Sequence, residues 1–157
     1  MSDNGNYETY VEALRTSAGL QDETRITQGE IAAVIASEYG TLKQAAIDAH
    51  IEYKTLAEYR RVVEFYEILP GRNLIGGSDV RRIMATFDTL RWTHLRLAAS
   101  LRDYEEAMDA LTVAANEAQT PQQFKRYLAR LNNGHRKPSR YVVDNGRGLR
   151  ITIERYA

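Results

Sequence analysis

Tyr53, Lys54, Thr55, Glu58 and Arg61 sit near the end of the stretch TLKQAAIDAHIEYKTLAEYRR, which runs from Thr41 to Arg61. Side chains of these types need no bond-making step to be useful. Lys and Arg offer donors that match guanine acceptors, Thr can meet a thymine methyl, and Tyr or Lys can hold a phosphate. At helical spacing the five share one outward face near a helix start.

Presenting such a face requires two helices that cross closely behind it. Ala46 supplies the small residue at the crossing, His50 the turn four residues later, and Ile51 an apolar plug. Leu56 and Tyr59, six and nine residues past the turn, then point inward together. This is the spacing of a helix-turn-helix, whose second helix enters the major groove of duplex DNA. The turn commonly carries Gly because its φ is positive; His tolerates that conformation at some cost. An ordinary helical hairpin with a charged wet face is the alternative.

Along the rest of the chain helix signals dominate. Asn6 caps a pattern of Tyr7, Tyr10, Val11 and Leu14 that Gly19 stops, and Gln28 to Tyr39 gives a second helix ended by Gly40. Thr41 with Gln44 reads as a capping box. Pro70, Gly71, Gly76 and Gly77 form the clearest linker, with Ser78 or Asp79 capping the next helix. Helices are then expected over 79–87, 90–101, 103–118 and 121–131, the last capped by Thr120, opened by Pro121 and stopped by Gly134. Beyond it the period changes, and Tyr141–Val143 and Leu149–Ile153 flank Asp144-Asn145-Gly146 as a β-hairpin. The fold class predicted is mainly α, with a helix-turn-helix domain over 1–70 and a second helical domain over 78–157 that ends in the hairpin.

Net charge is zero over the 157 residues, yet the charge is unevenly placed. Residues 1–40 hold seven acids against two bases, whereas 121–157 hold nine bases against two acids. An anionic partner is drawn to the far end and repelled by the near one. The basic end, through Arg126, Arg130, Arg136 and Lys137, is the best second phosphate footprint, and Thr41, Lys43, Arg60, Arg91, Thr93, His94 and Arg96 are further phosphate candidates. His94 taken alone reads as a structural histidine, and Trp92 with Leu95 as core. Arg81 and Arg82 open a helix whose amides also favour an anion, or else are simply solvated.

LKQAAIDAHIEYKTLAEYRRVVEFYEILP resembles the helix-turn-helix of actinobacterial phage and plasmid proteins, and LRWTHLRLAASL is similar to the segment that comes after it in ParB-like plasmid-partition DNA-binding domains. Leu90, Thr93, His94 and Arg96 occupy the matching positions, and TPQQFKRYLARL resembles the closing helix of that domain. In overall organisation the chain looks more like the immunity repressors of temperate mycobacteriophages. That resemblance implies operator binding that maintains lysogeny, with one chain using both halves on an asymmetric site; a dimer stays open.

Other classes find less to stand on. With 43% hydrophobic and 27% charged residues the chain is globular, and its polar first ten residues lack the apolar core of a signal peptide. No apolar run is long enough for a membrane span, so a cytoplasmic protein is expected. Zero Cys excludes disulfides and thiolate chemistry, and His50, His94 and His135 lie far apart without metal-ligand spacing. No phosphate-cradling Gly motif or nucleophile elbow appears. No cofactor, small-molecule ligand or enzymatic role is expected. The reading is a sequence-specific double-stranded DNA-binding repressor, with a partition or replication accessory protein as the alternative and an adaptor using the acidic N-terminal helices as a further rival.

Overall fold

The computed structural model describes residues 2–17, 21–68 and 74–135, and among these the chain is helical throughout its regular structure. The elements are α1 (Ser2–Thr16), α2 (Asp22–Glu38), α3 (Leu42–Ala49), α4 (Tyr53–Tyr66), α5 (Asp79–Thr86), α6 (Trp92–Ala99), α7 (Tyr104–Asn116) and α8 (Pro121–His135). None is long and apolar enough to cross a membrane. The expected hairpin lies outside the described residues. Two compact units are formed, Met1–Ala118 and Gln119–Ala157.

Within the first unit α2 is the centre, packed by α1, α3, α4 and α6. It is buried nearly all round, through Ile26, Gly29, Glu30, Ile31, Ala32, Ala33 and Ile35, because partners surround it instead of covering one stripe. Helix α2 begins at Asp22, earlier than the apolar residues from Ile31 onward indicate, since its first turns are held by polar contacts. The close crossing with α4 is permitted by Gly29, where a Cβ would lie 2.7 Å from both the Tyr59 carbonyl oxygen and Val63 Cγ2. Behind the turn, Val11 and Leu14 of α1 join Ile31, Ile35, Leu42, Ala46 and Leu56 in one core. Tyr7 and Tyr10 meet the Tyr39 ring edge-on, and the Tyr7 hydroxyl donates to Asp48 Oδ2 at 3.0 Å.

Domain organisation differs from the expected boundary at 70–78. Helices α5 and α6 pack on α4, and α7 on α6, so the stretch from Asp79 to Asn116 belongs with α1–α4. Two carboxylates of α2 explain why. Glu30, fully buried, accepts from the amides of Gly76 (2.9 Å) and Ser78 (3.2 Å) and from Arg81 of α5. Asp22 Oδ2 accepts from the Trp92 amide at the start of α6 (3.0 Å) and from Arg91 Nε (2.9 Å). The Ser78 amide at the N-cap of α5 and the Trp92 amide that opens α6 are thus both satisfied by side chains of α2. Tyr66 adds a further tie, its buried hydroxyl donating to the Leu95 carbonyl at 2.6 Å, and burial raises its pKa.

Several caps depart from the sequence reading. Thr41 makes no side-chain cap, its backbone being at φ −123, ψ 41, and Gln44 donates instead to Asp48 at 2.9 Å. Ser78 is the N-cap of α5 without a side-chain bond, because Glu30 and Glu67 take the local amides. Thr120 caps as expected: its hydroxyl accepts from Gln123 N at 3.2 Å while Gln123 Oε1 accepts from Thr120 N at 2.8 Å. Helix α8 then runs through Gly134 to His135.

Candidate nucleic-acid interface

The α3–α4 turn is built as its spacing requires. His50 stands in the left-handed region at φ 61, ψ 41, its amide donating to Ile47 O at 3.1 Å and the Ile51 amide to Ala46 O at 2.9 Å. Ala46 is 1% exposed and Leu56 0%, while Ile51 packs on the core and Tyr59 meets Trp92 edge-on at 5.6 Å. Helix α4 is thereby fixed by one side, and its start is left in solvent.

On that open side Tyr53 (39% exposed), Lys54 and Arg61 are exposed, and Thr55 and Glu58 are partly so. Lys43 of α3 lies over the Tyr53 ring at 5.5 Å, which joins a cation to the aromatic plane beside the turn. Thr55 donates to Glu52 Oε1 at 3.2 Å. Helix α1 packs against α2 and α3, and Tyr53 and Lys54 at the start of α4 stay exposed.

Glu58 organises the other end of this surface. Its Oε2 is 3.9 Å from Arg61 of α4 and 3.8 Å from Arg96 of α6, drawing two guanidinium groups from different helices around one carboxylate. Both contacts are long, so the arginines keep donors for another anion. Arg60 is turned to Glu64 at 2.9 Å. Arg102, which no motif or spacing singles out, joins Arg61, Phe65, Ala99 and Ser100 in lining a cleft of about 510 Å³. Its backbone is left-handed, φ 65, a feature invisible to composition or period.

The remaining candidates divide. Thr41 and Lys43 are exposed at the start of α3, and Thr93 is half-buried on α6. Arg91 is exposed but its Nε is held by Asp22, and that hydrogen bond and charge raise its pKa. His94 is a correction: it is 1% exposed, and its Nδ1 accepts from the Arg91 amide at 2.9 Å, so the ring serves the start of α6 and is out of reach of a phosphate. On α8, Arg126 and Arg130 are exposed together with Lys125. Arg136 and Lys137 lie outside the described residues. The surface that the fold brings together is Lys43, Tyr53, Lys54, Thr55, Glu58, Arg61 and Arg96.

Compared with family models, curated proteins and solved structures, the chain matches none.

Proposed function

We propose that this chain binds double-stranded DNA sequence-specifically and acts as a transcriptional repressor of the phage immunity type, in the cytoplasm of a bacterial host. Tyr53, Lys54, Thr55, Glu58 and Arg61 meet the major groove. Thr41, Lys43, Arg60, Arg91, Arg96, Arg126 and Arg130 hold the flanking phosphates. Thr93 contributes its hydroxyl beside them.

The observation that carries this reading is the left-handed turn at His50 leading into an uncovered helix start that bears Tyr53, Lys54 and Thr55. The turn ends α3 and starts α4 within three residues, which sets a cation, a hydroxyl and an aromatic ring together at a solvent-facing helix start. Long Glu58 contacts to Arg61 and Arg96 add donors beside it.

Fluorescence anisotropy of labelled duplex, with the full chain titrated in rising salt, tests the proposal. Half a dozen phosphate contacts predict that affinity falls about a thousandfold between roughly 50 and 200 mM salt, the loss set by counterion release. Duplex retention that is absent at low salt, or indifferent to salt, overturns it.

A further inference from the structure

The register that frames α4 recurs later in the chain. Counted from His50, at φ 61, buried Ala46 comes four residues before, α4 starts three after, fully buried Leu56 six after and half-buried Tyr59 nine after. Ala118 is also left-handed, φ 50. Counted from it, buried Ala114 comes four before, α8 starts three after, fully buried Phe124 six after and half-buried Tyr127 nine after. The left-handed residue donates three residues back in both cases, His50 to Ile47 O at 3.1 Å and Ala118 to Ala115 O at 3.3 Å.

An alanine gains nothing from positive φ, so this turn has a positional reason. The two turns are not identical, since α3 ends one residue before His50 and α7 two before Ala118, and Gln119 stands where Ile51 does. Beyond Tyr127 the match stops, for Leu128 is buried where Arg60 is half-exposed. Up to that point, the outward positions Lys54, Thr55 and Glu58 correspond to Gln122, Gln123 and Arg126, all three exposed. Helix α8 carries Lys125, Arg126 and Arg130 and no acid, the charge of a partner for polyanions.

We propose that α8 is a second base-reading helix, set into the major groove of duplex DNA with Gln122 and Arg126 against base edges and Lys125 and Arg130 on flanking phosphates. The inference rests on the DNA-binding function proposed above and reassigns Arg126 from phosphate to base. A glutamine amide matches adenine N6 and N7, and a guanidinium matches guanine O6 and N7. Gln122 and Arg126 are one helical turn apart, so they address neighbouring base pairs. Gln123 has its Oε1 engaged by the Thr120 amide, which leaves it the supporting role.

The test is selection from a random duplex library by the full chain. It compares the unaltered protein, Lys54→Ala with Thr55→Ala, Gln122→Ala with Arg126→Ala, and Arg126→Lys. All four altered side chains reach solvent, and circular dichroism confirms that each variant is folded. The unaltered protein is expected to select two blocks of specified bases. The α8 double variant keeps one block and loses the other, with affinity for the selected duplex down about ten- to a hundredfold. Arg126→Lys, which keeps the charge, relaxes preference at a guanine. Should the α8 variants select the same bases as the unaltered protein, the inference falls while the DNA-binding function stands. A uniform loss on every duplex, with selection unchanged, also overturns it by returning Arg126 to phosphate. No retained duplex from the unaltered protein removes both.

Discussion

Arg81 of α5 holds the buried carboxylate of Glu30 at two points, Nε to Oε2 at 2.8 Å and Nη2 to Oε1 at 3.0 Å, and reaches on to Glu23 and Thr27 of the same helix. These bonds, led by the one to Glu30, outweigh desolvation and raise the arginine's pKa further. Glu30 in turn satisfies amides of the segment leading into α5. Removing the cation strands a fully buried charge. Arg81→Ala is expected to lower unfolding free energy by about 3 to 5 kcal/mol in urea titration. A loss under about 1 kcal/mol contradicts the role given to this pair.

Gly29 is a second test of the scaffold, and its sign is unusual. Glycine to alanine inside a helix ordinarily stabilises by about 0.5 to 1 kcal/mol. Here the new methyl meets a backbone carbonyl and Val63 at 2.7 Å, so α2 and α4 must separate. Gly29→Ala is expected to cost about 1 to 3 kcal/mol net, seen as a lower Tm. A raised Tm contradicts the close crossing.

Asp22 gives a pH dependence. Partial burial pushes its carboxyl up, but the Arg91 hydrogen bond, the Trp92 amide and the charges of Arg91 and Arg25 outweigh this and hold it below the usual 3.8. A depressed folded pKa contributes stability that is present above the unfolded value and is lost as pH falls through the folded one. Thermal unfolding measured downward from pH 7 is therefore expected to show an acid loss below about pH 4 that is smaller in Asp22→Asn, whose Tm is already lower at neutral pH. Parallel curves contradict the assignment.

Glu58 links the fold to the proposed function. Removing its charge frees Arg96 for phosphate and Arg61 for the groove, and removes a repulsion there. Glu58→Gln is expected to strengthen binding to random duplex and to steepen the slope of log affinity against log salt by about one. An unchanged slope with unchanged affinity means that the two arginines do not meet DNA.

The α3–α4 turn was legible in the chain because its rule is local: Ala46, His50, Ile51 and Leu56 constrain one another over eleven residues. Thr120 and Gln123 were legible for the same reason, a cap needing only three residues of context. The hidden part was long-range. Glu30 and Asp22 look like the wet residues of a helix, and only folding brings them to amides 46 to 70 residues away. His94 fitted a segment pattern that assigns it outward, whereas its ring turns to its own helix start. The compact units divide after Ala118 and not at the glycine linker, because composition reports where a chain can bend, not which side chains reach across the bend.

The central claim is that the start of α4 occupies the major groove, and the most direct measurement is protection of guanine N7 from methylation on a selected duplex. The full chain is expected to shield particular guanines, and Lys54→Ala with Thr55→Ala to lose part of that shield while nonspecific retention survives. Guanines that methylate freely under saturating protein, or a footprint untouched by the double variant, contradict it.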